Sequence, residues 1–152
     1  GFFIIHINKK LLHRKIHIMM LEEQLEKRMF LNKAGAFSIR RGSRSAIDSI
    51  KYSAEILKDR DNLLCLFPQG EIQTHYKFPV RFEKGWFKII ERLENPVRIV
   101  FLANIIDYFS NRKPSLFQYV KDFDGTSGNS SPGVIEEAFN EHLEFSIQMQ
   151  KE

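Results

Sequence analysis

Short apolar runs separated by helix-spaced segments constrain this chain more than any other feature. Ile16–Leu21 and Leu63–Phe67 are short apolar runs suited to buried strands, and Ala36–Ile39, Val97–Ala103 and Phe117–Phe123 read as further strands. Between them, Glu22–Lys33 places Leu25, Met29 and Phe30 on one helical face, with Glu near its start and Lys near its end. Ser45–Lys58 repeats the pattern with Ile47, Ile50, Ala54 and Leu57, and Ser43 or Ser45 is placed to cap it. Gly85–Leu93 reads as a further helix, and residues 134–151 as a C-terminal helix with Ile135, Phe139, Leu143 and Ile147 along one face. Strands alternating with helices predict an α/β fold, a mostly parallel central sheet flanked by helices in a single domain over 1–152. Gln73–Arg81 reads as a polar loop and residues 125–133, rich in Gly, Ser and Asn, as a flexible one.

Composition removes several classes of function. The 152 residues hold one Cys, which excludes a disulfide framework and a cysteine-based zinc site. No metal-ligand cluster stands out. Apolar residues make up 43%, enough to bury a core, yet no run is long enough to cross a bilayer. No signal peptide is recognisable at the start. Charge is uneven: residues 1–51 carry a net +7 and residues 52–152 a net −3. A basic half can meet phosphates of nucleic acid or of a lipid surface, or simply be solvated. Phe37-Ser38-Ile39-Arg40-Arg41 only faintly matches an RNA-binding strand, so no nucleic-acid partner is expected.

Two strand ends carry unusual residues. In open α/β sheets, ligands bind outside the carboxyl ends of the strands. After Ala36–Ile39 come Arg40, Arg41 and Arg44, just ahead of the Ser45 helix. Guanidinium forks grip phosphate at two points, and a helix N-terminus adds free N–H groups. After Leu63–Phe67 come Pro68, Gln69, Gly70 and Glu71, a sharp turn that presents two polar side chains. Surface charge and a plain turn are the simpler explanations of each alone.

These residues resemble the glycerol-phosphate and lysophospholipid acyltransferase family. That family has four blocks: His-x4-Asp, Gly-x-x-Phe-x-x-Arg, Phe-Pro-Glu-Gly and a Pro-containing apolar strand. Gly35-Ala36-Phe37-Ser38-Ile39-Arg40-Arg41 is similar to the second, with Phe37 one place early. Phe67-Pro68-Gln69-Gly70 is similar to the third, Phe82-Glu83-Lys84-Gly85 to the element after it, and Pro96–Val100 to a weakened fourth. Ile18–Leu25 is similar to the strand-to-helix segment ahead of the second block. The likeness covers residues 1–110 in the family's order.

The departures matter as much. No His-x4-Asp occurs in the chain. The resemblance places that catalytic pair about 35 residues before Gly35, at or just before Gly1, so the chain is expected to start after it and to be inactive alone. His17 and Glu22 have the spacing but sit on what reads as a strand, and His17 is read as a strand histidine. His75 is a loop histidine beside the third block. Gln69 stands where the family has Glu, and Ile72 where many members have Arg.

The resemblance implies transfer of a fatty acyl group from acyl-CoA or acyl carrier protein to a hydroxyl of a glycerol-phosphate-type or other polar lipid, in lipid biosynthesis. The thioester is a co-substrate, and no further cofactor or metal is implied. Arg40 and Arg41 would grip the acceptor's phosphate, with Arg44 behind them. Gly35 and Gly70 would let backbone approach the ligand, and Phe37, Pro68, Gln69 and Glu71 would complete the substrate-binding set. The protein would be cytoplasmic and peripheral at the membrane. Phe2, Phe3, Ile4, Ile5, Leu11 and Leu12 beside Lys9, Lys10, Arg14 and Lys15 suit an anionic lipid surface, or else a core with solvated lysines. Trp86 reads as core or as lining for an acyl chain, and Cys65 as a small buried hydrophobe. The competing expectation is a lipid- or membrane-binding module that kept the fold without the chemistry.

Overall fold

The computed structural model describes residues 2–40, 42–71, 73, 77–110, 112–125, 127–128 and 130–150. Arg41, Ile72 and His75, singled out above, lie outside them. The chain divides into two compact units, residues 1–71 with 83–94 and residues 72–82 with 95–152.

The first unit is built on a parallel sheet of β1 (Lys15–Leu21), β2 (Ala36–Ile39) and β3 (Asn62–Cys65), in the order β2-β1-β3. Helix α1 (Phe2–Ile7), continued by a π-helical turn over Asn8–Leu12, precedes the sheet. Helix α2 (Glu22–Glu26) and a 3-10 segment (Met29–Ala34) connect β1 to β2, α3 (Ser45–Ile56) connects β2 to β3, and α4 (Phe87–Ile90) closes the unit.

Alternation along β1 explains the layers. Ile18 and Met20 point to one face and are buried with Leu25, Leu31 and Ala36. Met19 points to the other, where Ile50 and Ala54 of α3 and Ile89 of α4 form a second core with Ile39, Leu57, Leu64 and Leu66. Both faces of the sheet are therefore covered, as expected of strands read as continuous apolar runs. Cys65 packs at the first core, and burial pushes its thiol up to about 11, which leaves it protonated and unreactive at neutral pH.

The second unit pairs β4 (Val100–Asp107) with β5 (Ser115–Asp122) antiparallel, and α5 (Pro132–Gln148) follows. Phe101 contacts the rings of Phe123, Phe139 and His142, which joins strand to helix. Asn140 brackets Val80, accepting from its N–H at 2.7 Å and donating to its carbonyl at 2.9 Å. Glu136 accepts from the N–H of Phe82 at 2.7 Å. Within the 125–133 segment, the buried Ser127 hydroxyl accepts from the N–H of Val97 at 2.8 Å, so that position is anchored.

Several boundaries differ from expectation. Residues 22–33 do not form one helix: the chain turns at Lys27 and Arg28, and Met29 and Phe30 are exposed while Leu25 and Leu31 are buried. Neither Ser43 nor Ser45 caps α3. Arg44 holds the cap position without a side-chain bond, and the Ser43 hydroxyl donates instead to the carbonyl of Arg40 at 2.9 Å. Helix α4 is a single turn, and β4 begins three residues later than expected and runs four further.

Candidate functional site

All three strands of the first unit run the same way, so their carboxyl ends form one edge. Leu21 of β1 is in register with Ile39 of β2. The next residues are therefore neighbours: Glu22 opens α2, and Arg40 follows β2. Ile18 is in register with Cys65, so the residues after β3 continue beside the last residues of β1. The Phe67–Gly70 turn leaves the sheet at this edge.

Each side chain there has a defined setting. Arg40 donates from Nε to Glu22 Oε2, forming an ion pair in which the two side chains are 63% and 32% exposed. That bond, more than through-space charge, holds the Glu22 carboxyl below its usual range and raises the Arg40 guanidinium. The carbonyl of Arg40 is held by Ser43. Arg44 is exposed beside it, at the N-terminus of α3.

The turn after β3 closes with Gly70 N–H donating to the Phe67 carbonyl at 2.9 Å. Pro68 presets the second turn position, and Gly70 takes φ 65°, a left-handed conformation that favours glycine. The Pro68 carbonyl accepts from the N–H of Glu83 at 2.8 Å, which ties the turn to the segment leading into α4. Phe67 is exposed, Pro68, Gln69 and Gly70 are half-buried, and Glu71 is exposed.

Arg40, Arg44 and the Phe67–Gly70 turn, with Glu71 behind it, thus leave the sheet at one edge. Two other candidates do not. Gly35 lies at the amino-terminal end of β2, with φ 85°, where a Cβ would come 2.3 Å from the carbonyl oxygen of Ile16. Its missing side chain lets β2 begin against β1. Phe37 packs edge-on against Tyr52 of α3 at 5.0 Å. His17 lies inside β1 opposite Leu64, with its Nε2 buried and without a hydrogen-bond partner among the described residues, while Glu22 is engaged by Arg40. Four strand residues lie between them, and the five steps span about 16 Å. Trp86 is buried at the start of α4.

Glu22 was missed as a site residue. Its one sequence signal is that it directly follows an apolar strand, as Arg40 does, but only the register makes them partners. Among the described residues, no group of three or more His, Cys, Asp or Glu is placed to hold a metal ion.

A family model described as Acyltransferase matches residues 2–103, about two thirds of the chain. The chain belongs to the Acyltransferase family. The match takes in the whole parallel sheet, both candidate strand ends and the first residues of β4. Comparisons with curated proteins and with solved structures give no match. In this acyltransferase the Pro96–Val100 segment leads into β4, where Arg98 grips Asp122 with two bonds of 2.6 Å. Among the described residues, no helix is long and apolar enough to cross a membrane.

Proposed function

We propose that this acyltransferase moves a fatty acyl group from acyl-CoA or acyl carrier protein to a hydroxyl of a glycerol-phosphate-type or related polar lipid. The observation that carries this reading is the carboxyl edge, where a strand-end arginine and a Pro-Gly turn leave, at the same end, a sheet matched by the family. A guanidinium near the positive end of the α3 backbone is suited to a phosphate. In that pose the acceptor hydroxyl lies beyond the Phe67–Gly70 turn, with Gln69 and Glu71 facing the head group. Arg41 joins Arg40 in this role.

Acyl transfer needs a base to take the hydroxyl proton, and then donors for the oxyanion formed as the oxygen attacks the thioester carbon. A neutral His oriented by an Asp supplies the base in this reading. No His-x4-Asp lies within these 152 residues, and in this reading the pair is supplied from outside them. The thiol leaves with a proton. No metal or prosthetic group is required. The protein acts in lipid biosynthesis on the cytoplasmic side, peripheral at a membrane that supplies its acceptor, with the basic N-terminal residues toward lipid.

The test is thiol release from acyl-CoA and from acyl carrier protein by the natural full-length protein. Acceptor-dependent release is expected from it and none from residues 1–152 alone. Turnover by residues 1–152 would overturn the assignment of the base. A second reading, a lipid-binding module without chemistry, is favoured by Gln69 in place of the family's Glu. The absence of His-x4-Asp in the residues encoded before Gly1 would establish that reading over the first.

A further inference from the structure

We infer that Glu22 is an internal counter-anion for Arg40, displaced by the phosphate of an incoming acceptor, and that it thereby restricts this site to strongly anionic head groups. The inference rests on the proposed role of Arg40.

The sheet builds the arrangement. The β1–β2 register ends at Leu21 and Ile39, so the next residue of each strand is forced beside the other. Glu22 also begins a helix, where its charge meets the positive end of the α2 backbone. Nothing local requires a carboxylate to face Arg40; the pairing arises because both residues follow in-register strands.

The pair is reversible by nature. Both side chains reach solvent, and exposed ion pairs are weak because water screens them. Arg40 contributes one donor, Nε, to Glu22. Glu26, one turn along α2, adds a second negative charge that Arg40 feels. An uncharged head group gains little by breaking the pair. A phosphate carries up to two charges and three acceptor oxygens, and can take both Nε and an Nη of the fork. It cannot share Arg40 with Glu22 comfortably, since the two anions would lie within a few ångströms and repel. The carboxylate is therefore a threshold: ligands weaker than it as partners for arginine are turned away, and a phosphate replaces it.

The alternative is that Glu22 orients Arg40 for the ligand, and the two readings predict opposite effects. The experiment titrates the chain with sn-glycerol 3-phosphate, and with glycerol as the uncharged control, at low ionic strength. The arginine Nε–H resonances report binding in wild type, Glu22→Gln, Glu22→Ala and Arg40→Ala. Wild type is expected to bind glycerol 3-phosphate with a shift of the Arg40 signal, and Arg40→Ala to lose it. Both Glu22 variants are expected to bind glycerol 3-phosphate about three- to tenfold more tightly and to take up glycerate, a weaker anion that wild type turns away, with uncharged glycerol still not binding. If Arg40→Ala binds as wild type does, the phosphate role of Arg40 falls and this inference with it. If Arg40→Ala loses binding while both Glu22 variants bind equally or more weakly, the role of Arg40 stands and the inference alone is overturned.

Discussion

At the scale of single residues, the candidate site separates into exposed groups at the sheet edge and groups that build the sheet. Gly35 shows the difference. A sequence motif places it among ligand contacts, yet its left-handed φ and the carbonyl of Ile16 at 2.3 Å from a would-be Cβ assign it to the start of β2. Gly35→Ala is therefore expected to cost at least about 2 kcal/mol of stability, by combining backbone strain with a clash against backbone that cannot swing aside. Urea denaturation checks this: the midpoint should fall with an unchanged slope. An unaltered midpoint would mean that the turn relaxes freely. Arg40 is the opposite case, an exposed side chain that supports no core and whose backbone, not its head group, is held by Ser43.

At the scale of elements, what could be read from the sequence was what burial alone decides. Ala36–Ile39 is a strand as expected, because a short segment with three apolar residues in four, between a glycine and an arginine, fits a strand of a parallel sheet. Helix 22–33 failed because its apparent face is not the buried one. Leu25 and Leu31, six apart, both reach the first core, and a continuous helix would set them about 120° apart around its axis. Met29 and Phe30 are exposed as a result. The far end of β4 was missed because the apolar run read as the strand stops at Ala103; across the pair, Gln118 donates to the side-chain oxygen of Asn104 at 2.9 Å. The carboxyl edge was legible as two separate strand ends. The Glu22–Arg40 pair was not, since register is a tertiary fact.

Helix α5 has a consequence of its own. His142 is 4% exposed, donates from Nε2 to the Tyr119 carbonyl at 3.2 Å, and lies against Phe101. Burial holds its pKa below the ordinary 6.5, the Tyr119 bond opposes this, and Lys121 reinforces it. The unfolded chain therefore takes up the proton more readily than the folded one. This contribution leaves stability intact above pH 6.5 and lowers it as pH falls from there through the folded-state value. Denaturation midpoints measured between pH 8 and 5 should decline below 6.5, and His142→Gln should flatten that part of the decline. An equal slope in the variant would place the titrating group elsewhere.

At the scale of the whole molecule, charge takes on a more specific meaning. The net +7 of residues 1–51 does not describe a uniformly phosphate-seeking surface, because Arg40 is partly neutralised by Glu22. The family match takes in the parallel sheet of the first unit and ends inside β4 of the second. The second unit contributes its own small sheet and α5 around the aromatic cluster at Phe101. The central claim is that the edge bearing Arg40 receives the phosphate of an acyl acceptor. Its most direct measurement is the steady-state kinetics of thiol release by the full-length protein with a phosphorylated acceptor, compared between wild type and Arg40→Ala. Losing a charge-assisted contact made equally in ground and transition states should raise KM about tenfold or more and leave kcat nearly unchanged. A variant with wild-type KM would contradict the account.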